Sequence, residues 1–315
     1  MKTAFLGLGN MGGPMSRNLA RAGIDLTVFD VDPGQAAAAV AAGAVLAPSA
    51  AAAVAEADVV ITMLPTPAIV EDVMLGSGGV LAAMRDGALW IDMSTSVPAV
   101  AERVRQRAGA KGVRVLDAPV SGMSKGADAG TLQIFVGGDP FDVALARPLF
   151  EILGDPPRVL HVGGPGAGYA VKLMINLLWF VQLVGIAETL FIGTSAGVDL
   201  GVLRQALIAS PATSLLLEQD LDGLLYEGDY DEGFAIALAC KDLGLAVDLA
   251  RDVRVPVELS AVVEQVFRRA RSSYGDRAGE MTPVKLYEDL TGRALRLPRA
   301  TSPAGTSVAE VAHAN

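Results

Sequence analysis

Several places in the 315-residue chain set chemically useful residues at a meaningful spacing. Gly7-Leu8-Gly9-Asn10-Met11-Gly12 follows an aliphatic run and opens a helical one. In such a loop the first glycine permits a tight turn, and the second lets the backbone approach a pyrophosphate. The third lets helix and strand pack closely, and the helix N-terminus offers free N–H groups to the anion. Asp30 ends the next aliphatic run, where a carboxylate can accept from both ribose hydroxyls and repels a 2′-phosphate; the chain is expected to prefer NAD over NADP. Asp32, before Pro33, is the better placed helix cap.

Lys172 and Asn176 stand four residues apart in an apolar stretch, so one helix face carries both. Two readings stay open. The lysine either snorkels to water or faces a polar cleft, where desolvation lowers its pKa towards neutrality and suits it to proton transfer. Ser121-Gly122, followed by Met123, forms a turn suited to gripping a carboxylate, or an ordinary surface loop. Lys241-Asp242 interrupts a second apolar helical pattern and reads as a solvated face, with Cys240 a small buried residue. Leu64-Pro65 and Thr95 lie just beyond aliphatic runs, at strand ends where ligands of open α/β sheets bind; Thr95 or Ser96 serves equally as a cap for the helix at Pro98.

The elements that must hold these residues follow from periodicity. Aliphatic runs at 2–6, 26–29, 59–63, 88–91, 113–116, 132–136 and 159–161 read as strands. Helical stretches at 15–22, 34–42, 67–74 and 98–108 alternate with them, which predicts a doubly wound parallel sheet. The glycine cluster 163–168 marks a boundary. Beyond it the long segments 169–196, 200–209, 234–251, 257–273 and 283–292 predict an all-α region. The expected division is a dinucleotide-binding domain at 1–162, an all-α substrate and oligomerisation domain at 163–295, and a mobile tail at 296–315.

Composition narrows the functions. A formal charge of −10 argues against nucleic acid as a partner. One cysteine and two histidines, His161 and His313, leave little for a metal centre or for His–carboxylate catalysis; no metal is expected. No secretory signal is visible at Met1-Lys2, so a cytoplasmic protein is expected. The most apolar stretch, 171–193, carries Lys172, Asn176, Gln182 and Glu188; it reads as a buried helix, and no membrane partner is expected.

Taken together and in order, the glycine loop, Asp117-Ala118-Pro119-Val120-Ser121-Gly122, Gly126-Ala127 with Gly130-Thr131-Leu132, Gly168 with Lys172 and Asn176, and Lys241-Asp242-Leu243 resemble the β-hydroxyacid dehydrogenase family, the 3-hydroxyisobutyrate dehydrogenases among them. The resemblance covers roughly residues 1–295. It implies a Rossmann domain joined by a long helix to an all-α domain, assembled as a homodimer or homotetramer. It implies oxidation of a small 3-hydroxy acid to its semialdehyde or keto acid, with Lys172 as general acid/base and Asn176 as its orienting partner. Ser121 and Gly122 correspond to the substrate-carboxylate loop, Thr95 to a residue beside the nicotinamide, and Lys241 to one closing over cofactor and substrate. Met123 departs from the pattern, since many members carry a second glycine there. That departure keeps reduction of imines or unusual aldehydes as an alternative; a non-catalytic dinucleotide-binding module is the other.

Overall fold

The computed structural model describes residues 1–230 and 233–298. Nine strands form one sheet: β1 (Thr3–Leu6), β2 (Leu26–Phe29), β3 (Val45–Leu46), β4 (Val59–Thr62), β5 (Leu89–Asp92), β6 (Arg114–Asp117), β7 (Val120–Ser121), β8 (Leu132–Gly137) and β9 (Gly154–Gly163). The parallel part runs β3-β2-β1-β4-β5-β6, with β8 antiparallel to β6 beyond it. This is the Rossmann order, and the chain reverses direction of growth at β1 and β4. Strands β1, β4 and β5 are buried along their whole length. A central parallel strand is covered on both faces, which is why these read as unbroken aliphatic runs.

Helices α1 (Gly12–Arg21), α2 (Ala37–Ala41), α3 (Ala50–Val54), α4 (Pro67–Leu75), α5 (Val80–Ala83), α6 (Pro98–Ala108), α7 (Met123–Ala129) and α8 (Pro140–Leu153) flank the sheet. Alternate residues of one strand serve different cores. Phe5 packs with Met15 and Leu19 of α1 and Phe150 of α8. Ala4 and Leu6 pack with Val70, Met74 and Val104 of α4 and α6. Side-chain caps set several helix starts: Thr66 accepts from the Ile69 N–H before α4, and Asp139 from the Phe141 N–H before α8. Asp32 accepts from the Gly34 N–H, as its position before Pro33 predicts. Neither Thr95 nor Ser96 caps α6, whose N-cap is Val97 with no side-chain bond. Residues 123–129, which follow the Ser121-Gly122 turn, form α7, and β3 and β7 are too short for periodicity to reveal.

The long helix α9 (Ala167–Ser195) is followed by α10 (Leu200–Ile208), two π-helical turns (Leu216–Asp220 and Gly223–Glu227), α11 (Ile236–Asp252), α12 (Glu258–Tyr274) and α13 (Thr282–Thr291). Two compact units result. The first holds Met1–Val181 and Ala237–Arg268, the second Gln182–Ile236 and the chain from Arg269. By compactness the change of unit falls within α9, whose first turns pack on strand ends. Gly168 has no room for a side chain: a Cβ there would lie 2.3 Å from the Phe135 carbonyl oxygen.

In the second unit, Arg204 bonds the Leu217 and Glu218 carbonyls and Asp222, fixing the π-helical turns. Arg296 bonds Glu288, and the Leu297 N–H donates to the Leu225 carbonyl. The expected mobile tail therefore does not begin at Arg296; the chain is tied down as far as Leu297. Residues 299–315, with His313, lie outside the described residues. Helix α9 is long and apolar enough to cross a bilayer by length and composition, and only 28% of its most apolar window is buried. The expectation of a buried helix is corrected: Leu178 is 58% exposed and Ile192 70%.

Candidate active site

Parallel strands bring their C-terminal ends to one edge of the sheet, and the residues singled out in β1 to β6 gather there. After β1, Gly7 takes φ +92°, and a Cβ on it would lie 2.3 Å from the Met63 carbonyl oxygen. A Cβ on Gly12 would lie 1.9 Å from the Gly7 carbonyl oxygen. Gly9 differs: a Cβ there would meet nothing within 4 Å. Two glycines are required by the protein's own packing, and the third leaves a bare, exposed backbone beside Asn10 and half-buried Met11 at the start of α1. Asp30 braces the loop, its Oδ2 accepting from the Leu8 N–H at 2.6 Å and its Oδ1 from the Asp32 N–H at 2.9 Å. An open backbone at a helix start with a fixed carboxylate opposite fits a dinucleotide's pyrophosphate and ribose.

Lys172 is only 9% exposed and sits on α9 between two anchors. The first is Tyr169, one turn earlier, whose hydroxyl donates to Asp92 Oδ2 at 2.5 Å. Asp92 is fully buried at the end of β5 and also accepts from Thr62 Oγ1 and Ser94 Oγ, each at 2.6 Å. Burial pushes its carboxyl pKa up against those hydrogen bonds, and burial beside that carboxylate holds the Tyr169 phenol protonated. Asp117, at the end of β6, grips the same turn. Its Oδ1 accepts from the Gly166 N–H at 2.7 Å and its Oδ2 from the Tyr169 N–H at 3.0 Å. Burial lifts its pKa to about 6.

The second anchor is Asn176, one turn beyond Lys172. Its Nδ2 donates to Asp242 Oδ2 of α11 at 2.7 Å. Asp242 is 1% exposed, so the expected solvated face at Lys241-Asp242 is corrected: this face packs inward. Lys241 Nζ lies 3.0 Å from Asp242 Oδ1 and donates to the Pro65 carbonyl at 3.1 Å. The Leu64 N–H in turn donates to Ser94 Oγ at 2.8 Å. Both anchors thus lead back to the Leu64–Pro65 loop, one through Ser94, Asp92 and Tyr169, the other through Lys241, Asp242 and Asn176. Lys172 is held between them, and every member lies in the first compact unit.

Thr95 is half-buried beyond β5. Ser121 ends β7, opposite Gln133 of β8, and Gly122 follows at φ +129°. Met123 takes φ +53° with its side chain 46% exposed. A left-handed backbone costs a non-glycine residue roughly 1–2 kcal/mol. Cys240 is buried. His161 Nε2 sits 3.0 Å from both the Gly138 and Gly163 carbonyls, a bracing role. Among the described residues no group of three or more His, Cys, Asp or Glu is placed to hold a metal. Sequence reasoning gave Asp92, Asp117, Tyr169 and Asp242 no anchoring role. For Asp92 and Asp117 the available signal was a carboxylate ending an aliphatic strand run, which burial obliges to find partners; for Tyr169 and Asp242 there was none.

Comparison with known proteins agrees with this architecture. A family model for the NAD binding domain of 6-phosphogluconate dehydrogenase matches residues 2–163. A second, described as NAD-binding of NADP-dependent 3-hydroxyisobutyrate dehydrogenase, matches residues 166–287. The chain is 36% identical to 2-(hydroxymethyl)glutarate dehydrogenase of Eubacterium barkeri, over 93% of this chain and 96% of that one. It is 41% identical to 3-hydroxyisobutyrate dehydrogenase of Pseudomonas aeruginosa, over 84% and 90%. The solved structure of Mycobacterium tuberculosis 3-hydroxyisobutyrate dehydrogenase with L-serine superposes with a TM-score of 0.81 at 34% identity, covering 91% of this chain and 98% of that one. With the Rossmann strand order, the glycine loop and the anchored Lys172 in place, these matches identify the chain as a member of the β-hydroxyacid dehydrogenase family.

Proposed function

We propose that this oxidoreductase interconverts a small 3-hydroxy acid and its semialdehyde or keto acid with NAD, using Lys172 as general acid/base. The carrying observation is the buried Lys172 clamped between the Tyr169 and Asn176 anchors. A reacting amine held on a rigid helix meets the positional demand of proton transfer, where misplacement by about 1 Å can cost on the order of 10²-fold. In oxidation the amine takes the hydroxyl proton at Nζ; in reduction it returns it. The bound dinucleotide supplies the hydride acceptor or donor. Ser121 and the bare backbone of Gly122 bind the substrate carboxylate, and Lys241 closes over cofactor and substrate, with Leu64, Pro65 and Thr95 lining the cofactor's side.

The relatives support a substrate class. 2-(Hydroxymethyl)glutarate, 3-hydroxyisobutyrate and L-serine, the compounds those proteins are named for or hold, share one fragment, a hydroxymethyl group on the carbon bearing a carboxylate. The preference for NAD rests on Asp30, whose charge opposes a 2′-phosphate. In this reading the protein works in the cytoplasm as a homodimer or homotetramer. The net charge of −10 disfavours nucleic acid, and the exposed apolar residues of α9 suit a second copy better than a membrane, because the same helix carries Lys172 and Asn176.

The test is an NADH absorbance screen over 3-hydroxy acids, semialdehydes and cyclic imines. Turnover is expected with the first two classes. Lys172→Ala should bind NADH with unchanged affinity and lose about 10²–10⁴-fold in kcat. Turnover of imines alone, or a Lys172→Ala variant with wild-type kcat, refutes the proposal.

A further inference from the structure

We propose that Asp242 is the positioning residue of the reaction: it fixes the polarity of Asn176, so that the amide offers its carbonyl oxygen, as an acceptor, to the reacting groups beside Lys172. The inference rests on the dehydrogenase reading above and deepens it. An asparagine amide has a donor end and an acceptor end, and either can be turned towards a substrate by rotating one bond. A carboxylate only accepts. The end of Asn176 that lies 2.7 Å from Asp242 Oδ2 is therefore the NH2 group, and chemistry rather than packing decides it. The carbonyl oxygen is then the branch directed away from Asp242, one helical turn from Lys172.

Asp242 is suited to this task. It is 1% exposed, so water does not compete for its oxygens. Its second oxygen faces Lys241 Nζ at 3.0 Å as an ion pair without a hydrogen bond, and Lys241 is itself held by its bond to the Pro65 carbonyl. The carboxylate cannot rotate without giving up one of these partners, and a buried charge without its partners is costly. One side chain of α11 thus sets the amide orientation on α9 and the reach of Lys241 towards the Leu64–Pro65 loop.

The experiment compares Asp242→Asn, Asn176→Asp and the double exchange Asn176→Asp/Asp242→Asn, each measured for NADH binding, thermal stability, and KM and kcat on the substrate found by the screen. Asp242→Asn leaves Asn176 free to turn either end outward, and kcat should fall by about 10²-fold with substrate KM changed much less. Asn176→Asp sets two carboxylates against each other and should be worse still. The double exchange restores one donor and one acceptor and again presents an oxygen acceptor on α9; it should recover at least about tenfold of the kcat lost by Asn176→Asp, since one restored charge-assisted hydrogen bond is worth ~1.5–3 kcal/mol. Wild-type kcat in Asp242→Asn, or no recovery in a folded double variant that binds NADH, overturns the positioning role alone. Absence of wild-type turnover on the whole panel overturns the dehydrogenase reading and this role with it.

Discussion

Gly168→Ala tests whether the seating of α9 on the strand ends controls the chemistry. An added Cβ would lie 2.3 Å from the Phe135 carbonyl oxygen, 2.7 Å from the Asp117 carbonyl oxygen and 2.9 Å from Asp117 Oδ2. Carbon–oxygen contacts normally close at about 3.3 Å, so the helix start must retreat by about 1 Å. Two of the three obstacles are strand backbone and cannot swing aside. The retreat stretches the bond from the Tyr169 N–H to Asp117 and the Tyr169–Asp92 contact. Overpacking costs about 1–3 kcal/mol. For a domain of this size that lowers Tm by roughly 2–10 °C. Lys172, one turn on, moves with the helix, and kcat should fall by about 10²-fold. NADH affinity should hold, since the glycine loop at β1–α1 is untouched. Differential scanning calorimetry, NADH fluorescence titration and steady-state kinetics measure the three effects. Gly109→Ala is the control: its φ of −57° suits any residue and its Cβ would meet nothing within 4 Å, so stability should rise slightly and turnover stay unchanged. A folded Gly168→Ala variant with kcat within threefold of wild type would refute the reasoning, because Lys172 would then tolerate a displaced helix.

Three other outcomes are expected. Burial lifts Asp117 from 3.8 to about 6, so its contribution to stability is complete below about pH 4 and lost as pH rises through 6; the melting-temperature gap between wild type and Asp117→Asn should narrow from pH 4 to pH 7, and a constant gap contradicts the assignment. Asp30→Asn should raise the NADP-to-NAD ratio of kcat/KM by about tenfold, the size of one relieved charge contact near a surface, and an unchanged ratio removes Asp30 from cofactor choice. Light scattering should find the wild-type chain as a dimer or tetramer and Leu178→Glu shifted towards monomer; a monomeric wild type contradicts the oligomer.

What was legible in the sequence is what local pattern encodes. The glycine loop, Asp30 and the buried parallel strands each declare themselves within a few residues, and the order of motifs carried the family. The anchors of Lys172 were hidden because their meaning is non-local. Asp92 and Tyr169 are 77 positions apart, Asn176 and Asp242 66. An aspartate after Leu89-Trp90-Ile91 resembles any strand end until the sheet shows its carboxylate sealed under a helix. Asp242 was misread for the same reason, since a Lys-Asp pair looks solvated until the facing helix supplies an amide. The glycine cluster 163–168 fell where the two family matches meet, but the close packing of Gly168 left no trace in composition.

The first compact unit is discontinuous, made of Met1–Val181 and Ala237–Arg268. During synthesis the sheet, the glycine loop and the Asp92–Tyr169 fastening are complete in the chain well before α11 exists. Domains form N-terminal first, and contacts across long stretches of chain close slowly. Helix α9 is therefore fastened at one end early and at the other only after the whole of 182–236 has been made. In the order of synthesis, the glycine loop that fits the dinucleotide thus long precedes the carboxylate that fixes Asn176.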